Sequence, residues 1–222
     1  MYDLHVHTLL SDGEMLPIEL IRRASVLGYR TIAIADHVDQ SSLAHVIASI
    51  SEVKEAALMY DVRLLCAVEL THIPPALIAP MAEKARGLGA DLVVVHGETV
   101  VEPVAPGTNM AACACEYVDV LAHPGLITKE EADLAARNGI ALEITSRAGH
   151  NRANGRVVAY ARAAGARMVV NSDAHAPSDL LDERARLCVA LGSGLSKQEA
   201  RLSLNLNIED WMKDKGHINY YI

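Results

Sequence analysis

Residues 31–37 read Thr-Ile-Ala-Ile-Ala-Asp-His, an apolar run of strand length that turns ionisable at its last two positions. The pattern recurs along the chain. Leu64–Val68 leads into Glu69, Leu92–Val95 into His96 and Val120–Ala122 into His123. The first run carries His5 and His7, and Asp173 and His175 follow the last. The strand candidates are Tyr2–His7, Thr31–Asp36, Val62–Glu69, Asp91–His96, Val118–His123, Ala141–Thr145 and Arg167–Asn171. They are rich in Val, Ile and Leu with little polar alternation, as buried parallel strands are. Stretches of helical length separate them, and strands alternating with helices predict a parallel sheet. An open doubly wound sheet concentrates its site at one switch point. Here ionisable residues end many different strands, which is the arrangement of barrel enzymes. The expectation is a barrel with seven strands.

The intervening segments carry helix signals. Pro17–Leu27 stops at Gly28, Pro75–Leu88 at Gly89 and Asn154–Ala164 at Gly165, while Leu43–Met59 is one long amphipathic run. Thr128 with Glu131, and Ser196 with Glu199, have the spacing of capping boxes. The second opens a last helix running toward Trp211, and Asp179–Leu191 supplies the helix before it. Asn154 is a candidate cap for its own helix. His96–Asn109 is the longest stretch without a regular pattern, with Pro103, Pro106 and Gly107 marking a rigid turn. Trp211, Tyr220 and Tyr221 are expected to tie down the C-terminus, and His45 and His217 to lie on the surface.

Composition narrows the function. The 222 residues are 51% hydrophobic and 22% charged, with no composition break, so one domain spanning 1–222 with a sizeable core is expected. No apolar stretch is long enough to cross a membrane, and the first residues lack a basic leader. Twenty-eight acidic against twenty basic side chains give a net charge of −8. That balance disfavours extended nucleic acid, whose binding needs phosphate-neutralising Lys and Arg, but leaves room for a small phosphate ester. Of the four cysteines, Cys66 and Cys188 read as core residues, and Cys113-x-Cys115 is too tight for a zinc ribbon. A reduced, cytoplasmic protein follows.

The chemistry gathers at the strand ends. His5 and His7 are two apart on a strand and project to one face. Ser11-Asp12-Gly13 is a turn that can bring a carboxylate back over them. A single His after an apolar strand is ordinarily a satisfied structural residue. Nine candidates at the same end of successive strands are different: His5, His7, Asp12, His37, Glu69, His96, His123, Asp173 and His175. Unpaired, each buried ionised group would cost several kcal/mol of desolvation. The set exceeds the four ligands of a typical zinc, so two or three divalent ions are implied. Mixed imidazole and carboxylate donors suit Zn, Mn or Fe better than Mg or Ca.

The ordered motifs HVHTLLSDG, ADH, AVE, VVVHGE, AHPG and NSDAH resemble those of the PHP (polymerase and histidinol phosphatase) family. The likeness runs from the first strand through Ala176. It implies a distorted (β/α)7, TIM-like barrel with outer helices and a trinuclear metal centre. In that scheme His5, His7, Glu69 and Asp173 hold one ion, Glu69, His96 and His123 a second, and Asp12, His37 and His175 the third. The resemblance also marks His37, Glu69, Asp173 and His175 as catalytic.

Closely spaced divalent ions suit hydrolysis of phosphate esters, because they activate water and neutralise charge on phosphoryl oxygens. Arg147, His150 and Arg152 follow the sixth strand and are the candidate substrate residues, Arg being suited to bidentate phosphate contact. Arg156 is expected on the helix exterior. Glu98, Thr99 and Glu102 line the entrance or orient His96, and His72 is a candidate neighbour of the site. The leading expectation is a phosphomonoesterase acting on histidinol phosphate, a nucleotide or a similar small ester. The alternatives are an amidohydrolase-like C–N hydrolase and a non-catalytic, metal-binding regulatory module. The first commonly uses a strand-end Lys, where this chain has Glu69 and His96.

Overall fold

The computed structural model describes residues 1–215. Eight parallel strands occur among them: β1 (Tyr2–Val6), β2 (Thr31–Ile34), β3 (His37–Val38), β4 (Arg63–Leu70), β5 (Leu92–His96), β6 (Val120–Ala122), β7 (Ala141–Thr145) and β8 (Met168–Asn171). The order is β1-β2-β4-β5-β6-β7-β8, with β3 also pairing with β4. Ile34 pairs with Cys66 and His37 with Glu69, so β3 continues β2 in the same register after a short break. The seven expected strand positions are therefore all present, in a nearly closed barrel. The break leaves Asp36 free to accept hydrogen bonds from Thr8 and Ser11.

Helices wrap the outside: α1 (Pro17–Val26), α2 (Leu43–Ser51), α3 (Lys54–Leu58), α4 (Pro75–Gly87), α5 (Thr108–Cys113), α6 (Lys129–Arg137), α7 (Asn154–Ala164), α8 (Glu183–Gly192), α9 (Lys197–Leu204) and α10 (Ile208–Asp214). Both expected capping boxes form, at Thr128–Glu131 and Ser196–Glu199. Several boundaries differ from the sequence reading. The run 43–59 breaks at Glu52–Val53, a turn after which only Ala57 of α3 is buried. The last helix breaks before Asn207, whose side chain caps α10. The helix expected from Asp179 starts at Glu183 instead, capped by Asp182, because the Asp179 carboxylate already accepts the His175 and Ala176 N–H groups. Thr108–Cys113 is helical, which the irregular sequence around it had hidden. Asn154 is no cap: it is buried, bonding both backbone groups of Thr145 and the Ser193 hydroxyl. Cys188 is exposed on α8, not in the core. No helix of the described residues is long and apolar enough to cross a membrane.

Two apolar clusters share the strands. The outer one joins alternate strand residues such as Ile32, Cys66, Val93 and Leu142 to the helices. The inner one holds Leu4, Ala33, Ala67, Val94, Ala122, Ala141 and Val169, and is closed at the base by Ile208, Trp211 and Met212. Trp211 thus ties down the end of the described chain, whereas Tyr220, Tyr221 and His217 lie outside the described residues; His45 is exposed.

The β1–β8 seam is made differently from the other strand contacts. One backbone bridge joins Val6 to Ala174. Side chains do the rest: Asn171 accepts the Leu4 N–H and Asp3 accepts the Ser172 N–H. The register of β1 also slips by one residue between Asp3 and Val6. Such a bulge re-aims side chains, and here it lets Leu4, His5 and His7 all serve the inner side while Val6 joins the outer cluster.

Candidate metal centre

The inner face of each strand becomes polar toward its C-terminal end. On β4 the inner residues run Leu65, Ala67, Glu69, and on β5 Leu92, Val94, His96. The result is a rim where six imidazoles and three carboxylates converge, all nine of the expected residues. Four overlapping groups have ligand atoms within 4.8 Å of one another: His5, His7 and Glu69; His5, His123 and Asp173; Glu69, His96 and His123; and His7, Asp12, His37 and His175.

Local structure explains the convergence. The 8–13 turn folds back on β1, and Gly13 packs so close that a Cβ there would lie 2.6 Å from the His7 carbonyl carbon. Gly13 N–H donates to Thr8 and Glu14 N–H to the His175 carbonyl. Asp12 is thereby carried to His37 Nε2 (3.6 Å) and His175 Nε2 (3.3 Å). His123 and Asp173 sit at φ 26° and 53°, backbone that non-glycine residues avoid. Strain of this kind is sustained only where the surroundings over-determine it. Gly125, two residues beyond His123, has φ 60° and meets the Glu98 carbonyl where a Cβ would stand, locking the loops after β5 and β6 together.

His37 Nδ1 pairs with Glu69 Oε2 at 2.7 Å, but most of the other groups approach one another without an aligned hydrogen bond. His5 Nε2 is 3.3 Å from Glu69 Oε1, His7 Nε2 3.2 Å from Asp173 Oδ1, and His123 Nε2 3.6 Å from Glu69 Oε1. Yet His5 Nε2, both ring nitrogens of His7 and Glu69 Oε1 are buried without an aligned hydrogen-bond partner. Buried polar atoms in native proteins are normally satisfied. Lone pairs aimed at shared points are what divalent cations require, so the residues present fit a metal cluster.

Electrostatics favours the ligating forms of Glu69, His7 and His123 and opposes those of His5, His37 and Asp173. Burial opposes the charge on Glu69, but His5, His37 and His96 hold its carboxyl well below the usual range. Burial, aided by His37 and His5, pushes His7 well below the ordinary imidazole value, and burial with His96 does the same to His123. Burial also opposes the charge on His5, but Glu143, Glu69 and Asp173 prevail and raise it. His37 is raised to about 9 against burial, chiefly by Glu69. Burial pushes Asp173 up to about 7, against the pull of His5. Bound cations would favour the deprotonated forms throughout.

The rim encloses a pocket of about 70 Å³ lined by Asp12, His37, His96, Glu102, His123, Arg147, His150, Asp173 and His175. Arg147 is held 3.2 Å from Asp179. His150 is buried with its ring 4.3 Å from that of His123. Glu102 reaches His96 Nε2 at 3.1 Å and His150 Nε2 at 3.3 Å, and His72 stacks on His96 at 5.4 Å. Glu98 instead braces its own loop, accepting the Gly107 and Asn109 N–H groups. Arg152 is not brought here; it is exposed and lines a separate depression with Ser146, Cys188 and Ser193. Arg156 lies outside, donating to the Ile127 carbonyl. Sequence reading missed Glu143, a wholly buried carboxylate that touches His5. Its signal was an ionisable residue in the middle of the apolar run Ala141–Thr145 rather than at its end.

Known proteins resemble this chain in sequence or in fold. An uncharacterised protein of Methanocaldococcus jannaschii is 50% identical over 205 residues, covering 91% of this chain and 94% of the relative. A 5'-3' exoribonuclease of Haemophilus influenzae is 37% identical over 70 residues, 32% of this chain and 23% of that protein. Among solved structures, a candidate histidinol phosphatase from Listeria monocytogenes superposes with a TM-score of 0.59 at 12% identity, over 81% of this chain and 97% of that one. An amidohydrolase superposes at 0.61 and 15% identity, over 96% and 74%. At these identities the structural likeness speaks for the barrel. A PHP-domain profile matches residues 3–89, where five of the nine rim residues lie, and identifies that segment of the chain as PHP-domain sequence.

Proposed function

We propose that residues 1–222 act as one metal-dependent phosphoesterase unit that hydrolyses a small phosphomonoester, of the kind presented by histidinol phosphate or a nucleotide. The observation that carries this reading is the rim itself: imidazoles and carboxylates gathered at one end of the barrel, with His5 Nε2, both nitrogens of His7 and Glu69 Oε1 buried without a hydrogen-bond partner, beside a small polar pocket. Two or three Zn, Mn or Fe ions are the cofactors. His5, His7, Glu69 and Asp173 hold one, Glu69, His96 and His123 another, and Asp12, His37 and His175 the third. When bound, such ions lower the pKa of water and neutralise charge on phosphoryl oxygens. The chain does the rest. Arg147 and His150 on the pocket wall bind and orient the phosphate. Glu69 would contribute to two of these ligand sets, and His37, Asp173 and His175, as ligands at the reacting end, would act through the ions they hold. A pocket of about 70 Å³ and a net charge of −8 both favour a small ester over extended nucleic acid. Four free thiols accord with a cytoplasmic setting.

The test is a panel of sugar, amino-alcohol and nucleotide phosphates, short oligonucleotides and amides, with Zn, Mn or Fe added to chelator-treated protein. Phosphate release that depends on added metal is expected. Ammonia release from amides with no phosphate release would replace the reading with C–N hydrolysis, and no turnover at full metal loading would leave a binding module.

A further inference from the structure

Glu143 lies in the middle of β7, wholly buried, and no arginine or lysine among the described residues forms an ion pair with it. Three N–H groups surround its carboxylate. His5 Nδ1 approaches Oε1 at 2.9 Å, and Asn171 Nδ2 donates to the same oxygen at 2.8 Å. The backbone N–H of His123 donates to Oε2 at 2.9 Å. The β6 ladder has already ended at Ala122, so this N–H, in strained backbone, finds its acceptor in a side chain.

We propose that Glu143 is a positioning residue for the metal centre, setting the tautomer of His5 and the backbone of His123 at once. The assignment rests on the metal-centre reading given above. A carboxylate only accepts, so Nδ1 of His5 must donate and Nε2 is left to present its lone pair. That nitrogen faces Glu69 and Asp173, at 3.3 and 3.9 Å. The second oxygen holds His123 where its ring reaches the same two carboxylates, at 3.6 and 3.7 Å. One buried side chain therefore aligns donors from β1 and from the end of β6. Asn171 keeps the carboxylate aimed, and its own carbonyl holds Leu4, next to His5.

The experiment is a metal titration of chelator-treated wild type and Glu143→Gln, read by competition with a chromogenic chelator. Affinity should fall roughly 10–100-fold, as for other partners behind a ligand. Excess metal should restore phosphate release in the variant. A variant that binds as tightly as wild type overturns the role of Glu143. Wild type that takes up no metal overturns the metal centre itself, and this assignment with it. A second measurement stands even if the variant fails to fold: imidazole nitrogen NMR of zinc-loaded wild type should show His5 protonated at Nδ1 and ligated at Nε2. Ligation through Nδ1 overturns the assignment.

Discussion

The base and the rim of this barrel are built on the same strands yet obey opposite rules. At the base, Leu65, Leu92, Val120 and Val169 meet Trp211, Ile208 and Met212 in a dry cluster. Three or four residues further along, the same strands present Glu69, His96, His123 and Asp173. Apolar packing at one end stabilises the fold, with Trp211 Nε1 buried there without a partner, while the other end gathers such atoms on His5, His7, Glu69 and His123. A rim of that kind is costly on its own, and it persists because the base and the outer helical layer carry the stability. Stability and chemistry are thus separated along the barrel axis, which lets each be perturbed separately.

The largest effect should come from the rim. His7→Ala is expected to lower metal content and phosphate release together, the rate by more than about 100-fold, since changes behind a ligand already cost 10–100-fold in affinity. Metal analysis beside a phosphate assay decides it, and normal values of both would dissolve the contrast. Next comes the base. Trp211→Ala should destabilise the fold by about 3–5 kcal/mol in urea unfolding, while the protein that remains folded keeps its metal. Loss of metal from the folded fraction would show the two ends to be coupled.

The seam offers a smaller, pH-dependent effect. Burial raises the Asp3 carboxyl to about 6, above its value in the unfolded chain. The fold therefore favours its protonated form. That contribution is complete below about pH 4 and is lost as the pH rises through about 6. Asp3→Asn stays neutral, so its stability relative to wild type should improve by on the order of 2 kcal/mol between those limits. Urea titrations of metal-free protein across that range test it, and a constant difference refutes it. The smallest effect belongs to the pocket wall. Arg147→Ala should raise KM for the phosphate ester roughly tenfold, the worth of one charge-assisted hydrogen bond, with metal content unchanged. Metal loss in this variant would mean that Arg147 and Asp179 support the rim instead.

What the sequence made legible follows from the same separation. Rim residues stood out because each ends an apolar run, where burial and charge conflict within two positions. The Gly13 turn was readable because a carboxylate had to return over the strands. Glu143 escaped because it interrupts a strand at mid-length, where only the three-dimensional neighbours His5, His123 and Asn171 explain it. Asn154 looked like a cap because caps and buried amide brackets use the same residue types. Arg152 follows β7 closely in sequence but turns outward on the short 3₁₀ turn His150–Ala153, a local geometry that spacing does not encode. The divided helices 43–58 and 197–214 were hidden because no proline or glycine marks their breaks, at Glu52–Val53 and before the Asn207 cap.

The seam joins the first strand to the last, and the cluster draws on both: His5 and His7 belong to one side of it, Asp173 and His175 to the other. On the ribosome, the earliest imidazoles therefore wait for nearly the whole polypeptide before their partners emerge. A chain ending before Asp173 would keep the groups His5, His7, Glu69 and Glu69, His96, His123 but lose the two that need Asp173 or His175, so the full rim exists only once the last strand is made.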